Sequence, residues 1–193
     1  MTALENPALV SIAGYLAGQE TSGQKHEYIG GVVHATAGAT NRHNKIALNS
    51  LLSIGGRLRG KARQPCNSDV KVRIEFPDHT RFYYPDAIVV CNSNPDTDHF
   101  QDQPVVIIEV LSDSTRRPDQ EEKRDAYLTL ASLKVLMFVE SDRPVVTLHR
   151  RKPEGGFAIE YHLGLEATIF LSETGAALAL ADLYERAEFA TER

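Results

Sequence analysis

PVVIIEVLSDST, residues 104 to 115, sets one carboxylate, Glu109, inside a run of apolar side chains: Val105 to Ile108, then Val110 and Leu111. A run of that length, opened by proline and closed by Ser-Asp-Ser, predicts a strand buried on both faces. Its β-branched content argues against a short helix. An ionised glutamate in such a strand is strongly disfavoured unless its charge is answered. The answering group is either a cation from the chain or a bound metal, and the stretch alone leaves both open.

Working outward, RFYYPDAIVVC supplies a second strand interrupted at Pro85, with Asp86 directly after it. A proline inside a strand implies an edge or a bend. Neighbouring strands lie about 4.8 Å apart, so Asp86 and Glu109 on adjacent strands can converge on one ion. Downstream, Asp119 with Glu122 three residues later predicts a capping box that opens a helix to about Leu130. Lys123 and Tyr127, four apart, share a face of that helix, and packing it over the strand would carry the lysine to the same spot. Two carboxylates, a lysine and a divalent cation suit phosphodiester hydrolysis. Oxygen ligands favour Mg²⁺ (or Mn²⁺), which keeps several waters, over Zn²⁺.

The remaining pattern is that of an α/β or α+β domain around a mixed sheet. Residues 7 to 19 predict a helix with Leu9, Ile12, Ala13 and Leu16 on its packing face, and Gly30-Gly31 predicts a hairpin. Asn41 is the expected cap of a helix from about 42 to 59, with Ala47, Leu51, Ile54 and Leu58 in a stripe. Val70, Val72, Ile74 and Phe76 alternate with Lys71, Arg73 and Glu75, as in a half-exposed strand. KVLMFVE predicts a buried strand, and VVTLHRR, FAIEYH and ATIFL further β segments. LALADLYERAEF reads equally as strand or helix.

At 193 residues the chain suits one domain, with a core over about 20–150 and a C-terminal β extension over 151–193. Hydrophobic content of 42% and charged content of 24% argue against disorder. A net charge of −5 speaks against a general nucleic-acid coat protein but is compatible with a nuclease, whose carboxylates lower the total. Cys66 and Cys91 have no metal-ligand spacing, and Cys91 is expected to be a buried small hydrophobe. With no long apolar segment and no basic leader, the expectation is a soluble, cytoplasmic protein. Without a P-loop or GxGxxG, no nucleotide cofactor is expected.

YYPD (Tyr83 to Asp86), then PVVIIEVLSDST, then Asp119, Lys123 and Tyr127 together resemble the Uma-type putative restriction endonuclease family of the PD-(D/E)XK nuclease superfamily. HEYIGGVVHATAGATNRHNKI (His26 to Ile46) is similar to the opening of the same family. The resemblance runs over about residues 20 to 150. It implies a restriction-endonuclease-like fold, a mixed β-sheet core flanked by helices, acting on DNA as a homodimer. It implies Asp86 and Glu109 as metal ligands, joined by the backbone carbonyl of Val110. The superfamily's lysine stands two residues after the acid, where this chain has Leu111, so Lys123 is the candidate replacement. Glu27 maps to an additional ligand or water-holding base, and His43 to a phosphate or water contact.

Plainer readings stand beside these. Glu109 and Lys123 would then be a buried ion pair that shapes the fold, in a catalytically silent DNA-binding or protein-interaction module. Tyr127 reads as packing, and Asp86 alone as a turn residue. Basic residues in GRLRGKAR (Arg57, Arg59, Lys61, Arg63), in HRRK (Arg150 to Lys152), and at Arg116 and Arg117 are candidates to track a phosphate backbone. For the first cluster, complementing a helix C-terminal dipole is an equal alternative.

Overall fold

The computed structural model describes residues 9–36, 38–112 and 119–189. Along the chain run α1 (Ile12–Thr21), β1 (His26–Ile29), β2 (Val32–Ala35), α2 (Asn41–Leu58), β3 (Gln64–Asn67), β4 (Lys71–Glu75), β5 (Thr80–Tyr83), β6 (Ala87–Val90), β7 (Phe100–Gln101) and β8 (Pro104–Leu111). A π-helical turn, Asp119–Lys123, leads into α3 (Arg124–Leu128). Then come β9 (Val135–Glu140), β10 (Val145–Arg151), β11 (Phe157–Leu163), β12 (Thr168–Leu171), β13 (Ala176–Ala179) and α4 (Leu180–Leu183).

The strands divide between two main sheets rather than one. The first has the order β2-β1-β5-β4-β7, the second β11-β10-β9-β8-β6-β3, and β12 and β13 form a separate hairpin. Both main sheets are mixed, because β8 runs parallel to β9 and β4 parallel to β7 within otherwise antiparallel pairings. The break at Pro85 is where the chain leaves the first sheet and enters the second. Proline has no N–H to give the ladder, so β5 cannot run on into β6.

Strand β8 is buried on both faces, as its apolar run predicts. Val106, Ile108 and Val110 face one core, built with Ile46, Ile54 and Leu58 of α2 and with Ile169, Leu171 and Leu178 of the β12–β13 hairpin. Residues beyond 151 therefore share the main core. Ile107 and Leu111 face the other core with Leu136, Phe138, Tyr83 and Tyr127.

Several local expectations are corrected. In α1 only Tyr15 is buried, against Tyr28 and Phe82, whereas Leu9 and Ile12 are exposed. Helix α2 begins at Asn41, and the capping side chain is that of Thr40, which accepts from the His43 N–H at 3.2 Å. Lys71 is buried in β4, its ammonium 3.3 Å from the Tyr84 hydroxyl and 5.3 Å from the ring centroid. Cys91 lies one residue past the end of β6 and is exposed. Glu122 accepts from the Tyr83 hydroxyl at 2.8 Å rather than closing a capping box; the Asp119 side chain lies outside the described residues. The final stretch is both strand and helix, β13 running into α4.

Four tyrosine hydroxyls fasten these layers. Tyr15 donates to the His26 carbonyl, Tyr83 to Glu122, Tyr127 to Glu109 and Tyr184 to the Glu140 and Val145 carbonyls. Burial, first among the causes in every case, holds all four phenols well above the usual tyrosine range. Above about pH 10 the unfolded chain's phenols lose protons that the folded chain retains. The folded state then binds more protons, so this stabilisation is complete below about pH 10 and declines as pH rises. Urea midpoints should fall on the alkaline side, and Tyr184→Phe should blunt the fall. An unchanged midpoint through this range would contradict the buried hydroxyls.

Candidate active site

The switch between sheets positions the first acid. Asp86 stands between Pro85 and the start of β6, where Ala87 pairs with Ile108 of β8. Continuing that antiparallel register by one residue sets Asp86 across from Glu109, and residues so opposed share a face. Asp86 Oδ2 accepts the Val110 N–H at 2.7 Å and lies 3.3 Å from His43 Nε2. His43 reaches it from the first turn of α2, whose start the Thr40 cap fixes.

Glu109 is 4% exposed. Its Oε1 accepts the Tyr127 hydroxyl at 2.7 Å and lies 3.8 Å from Lys123 Nζ. Burial, then the nearby Glu109 and Glu27 charges, hold the Tyr127 phenol protonated, so it acts as a donor to the carboxylate. Lys123 is the last residue of the π-helical turn, a rare geometry that occurs often at functional sites. Its nearer acidic partner is Glu27 of β1, at 2.9 Å, rather than Glu109. The ammonium also lies 5.6 Å from the centroid of the Tyr83 ring, within cation–π range. Glu27 Oε1 in turn accepts the Tyr84 N–H at 3.2 Å, which ties the hairpin to the bend before Asp86.

Glu27, His43, Asp86, Glu109, Val110 and Lys123 thus line one cavity of about 460 Å³. Lys25, Ser68 and Tyr84 line it too, and none of them stood out in the sequence as a site residue. Lys25 is fixed there by Asp69 at 2.8 Å and the Ser68 carbonyl at 2.7 Å. The only sequence signal for Tyr84 was its place in YYPD. Tyr127, read as packing, packs and also holds Glu109.

In the HRRK run two of the three cations are held by the chain itself, while Lys152 is exposed. Arg150 is bound by Glu160 at 2.6 Å and Glu173 at 2.7 Å, and Arg151 donates to the Leu130 and Leu133 carbonyls. In the other cluster Arg57 sits in the last turn of α2 and donates to the Ser53 carbonyl, while Arg59 and Lys61 are exposed. Arg116 and Arg117 lie outside the described residues. No described helix is long and apolar enough to cross a membrane.

Replacing Tyr127 by phenylalanine removes a donor to a buried carboxylate while keeping the ring. Tyr127→Phe should lower the unfolding free energy by about 1–3 kcal/mol in urea titrations. No change would mean that the hydroxyl does not support Glu109.

Two uncharacterized proteins of Synechocystis sp. (strain ATCC 27184 / PCC 6803 / Kazusa) are similar to this chain. One is 26% identical over 178 residues, covering 91% of each chain; the other is 26% identical over 143 residues, covering 72% of this chain and 80% of its own. Among solved structures, a putative nuclease belonging to DUF820 from Anabaena variabilis matches with a TM-score of 0.70 at 16% identity. The match covers 91% of this chain and 97% of that one, and it shows a shared, restriction-endonuclease-like fold. The model of the Uma2 family, described as "Putative restriction endonuclease", matches residues 12–181. The chain with its two acids across a strand pair and its lysine on the following helix belongs to the Uma2 family.

Proposed function

We propose that this protein is a divalent-metal-dependent endonuclease that hydrolyses phosphodiester bonds of DNA. One observation carries the reading: Asp86, directly before β6, and Glu109, on the neighbouring β8, line the same cavity as Lys123. Membership of a putative restriction endonuclease family and likeness to the DUF820 putative nuclease support nuclease chemistry in general.

The donor set fits a hard cation. Glu27, Asp86 and Glu109 offer carboxylate oxygens, and no cysteine lines the cavity. Among the described residues no three His, Cys, Asp or Glu side chains gather into a ready cluster. The chain would therefore contribute Asp86, Glu109 and the Val110 carbonyl, with water completing the shell, as Mg²⁺ accepts. Mg²⁺ or Mn²⁺, when bound, supplies neutralisation of phosphate oxygens and a more acidic water.

The chain's own groups do the positioning. Lys123 brings positive charge to the place where negative charge develops on the phosphate, and Glu27 keeps it aimed from 2.9 Å. Glu27 is also the candidate base that holds the attacking water. His43, steered by Asp86 at 3.3 Å, contacts a phosphate oxygen or water. Tyr127 keeps Glu109 in one orientation.

A second reading, a DNA-binding or protein-interaction module that does not cut, is favoured by one feature. Each of the three carboxylates already has a partner within the chain. Plasmid assays with Mg²⁺ or Mn²⁺ separate the two. Nicking that EDTA abolishes, and that Glu109→Ala lowers by about a hundredfold or more, is the expected result. Calorimetric Mn²⁺ binding should be lost in Asp86→Asn. Salt-dependent duplex affinity with no cleavage and no response to EDTA would replace the nuclease by the silent module.

A further inference from the structure

Strand β11 is the outermost strand of the six-stranded sheet, and β10 is its one partner among the described strands. The bonds at its two ends fix which way its peptide groups point. Lys152 N–H donates to the Gly156 carbonyl, and Gly164 N–H to the Pro144 carbonyl. In an antiparallel ladder bonded and unbonded positions alternate, so Ala158, Glu160 and His162 turn their peptide groups to β10. Phe157, Ile159, Tyr161 and Leu163 then turn theirs to the open edge. Three of these same residues also carry exposed apolar side chains on one face: Ile159 at 54%, Tyr161 at 66% and Leu163 at 63% exposure. Proteins usually blunt such an edge with lysine, proline or a bulge. FAIEYHL contains neither residue and pairs with β10 without a register shift.

We propose that this edge pairs antiparallel with the same strand of a second copy, about a two-fold axis through Tyr161. Side-chain complementarity favours a second copy in this register. With the axis at Tyr161, Ile159 faces the second copy's Leu163, Tyr161 faces its own counterpart, and Glu160 faces the second copy's His162. Moving the axis to Glu160 would oppose two carboxylates, and like charges directly opposed are destabilising; moving it to His162 would lose both Glu160–His162 contacts between the copies. Within one chain Glu160 and His162 already stand 3.5 Å apart, with Arg150 on Glu160 at 2.6 Å. The pairing closes Glu160 and His162 of the two copies into one ring of alternating carboxylate and imidazole groups about the axis.

A two-fold axis normal to the sheet keeps its faces in register. Glu109, Phe138, Thr147 and Tyr161 form one transverse row, so both copies' Glu109 side chains rise from the same face of one continuous sheet. Seven inter-strand steps separate the two β8 strands, about 34 Å at the usual spacing. On the nuclease reading that is about one duplex turn; the dimer itself does not rest on that reading.

The test is the oligomeric state, which is independent of cleavage. Sedimentation velocity of the full chain at tens of micromolar should give a dimer. Tyr161→Glu, at an exposed position, should raise the dimer dissociation constant by at least about tenfold with an unchanged circular dichroism spectrum. In a Cys66→Ser, Cys91→Ser background, Tyr161→Cys should form a covalent dimer on mild oxidation, since opposed bonded pairs have Cα atoms about 5.5 Å apart, within disulfide reach. Phe170→Cys, exposed on β12, should not. A monomeric wild-type chain, a Tyr161→Glu dimer as tight as wild type, or equal cross-linking at Phe170→Cys would each overturn the proposal.

Discussion

A carboxylate in the middle of a doubly buried strand is the constraint to which the rest of the molecule answers. Glu109 has core on either side of its strand, so its charge has to be met by groups brought in from elsewhere in the chain. Tyr127 meets it with a fully buried hydroxyl, and Lys123 with an ammonium one helical turn earlier. To place both, the π-helical turn and α3 must lie over the second face of β8. Lys123 also takes Glu27 from the first sheet, and Glu27 takes the Tyr84 N–H. One buried charge thereby becomes the point at which two sheets and a helix are fastened together.

Pro85 acts on the same point from the other direction. By withholding a peptide N–H it ends β5, and the chain crosses to the second sheet within three residues. The first ladder residue there, Ala87, registers with Ile108, and this alone brings Asp86 opposite Glu109. The Val110 N–H, donated to Asp86 Oδ2, then locks the carboxylate toward the cavity. A break in one sheet and the placing of an acid in another are a single event.

Strands β8 and β9 were legible because continuous β-branched runs have few alternatives, and the β1–β2 hairpin because Gly30 and Gly31 adopt φ of 56° and 102°, which other residues rarely accept. The convergence of Asp86, Glu109 and Lys123 followed from strand adjacency and helical spacing. What escaped depends on contacts distant in sequence. Helix α1 is anchored by aromatic rings of two other strands, so its own apolar stripe misleads. Strand β3 contains Pro65 between polar residues and forms only because β6 offers it an edge. Lys71 reads as an outward charge until Tyr84 is seen beside it. The preference of Lys123 for Glu27 over Glu109 depends on how one sheet packs on the other, and the capture of Arg150 on carboxylates downstream of it; a run of charges does not reveal its own partners.

Leu111 and Lys123 are physically linked. Position 111 shares a face of β8 with Glu109, and Leu111 there is fully buried among Tyr83, Ala126 and Tyr127. A lysine at 111 would have to bury its stem in that cluster and displace the contacts that hold α3 down, the helix that carries the Tyr127 hydroxyl. Leucine keeps α3 seated, and just before that helix Lys123 holds its ammonium 5.6 Å from the centroid of the Tyr83 ring. The charge is delivered to within 3.8 Å of the same carboxylate. Apolar packing at 111 and the cation at 123 are therefore one arrangement: the first supplies the platform from which the second reaches the acid.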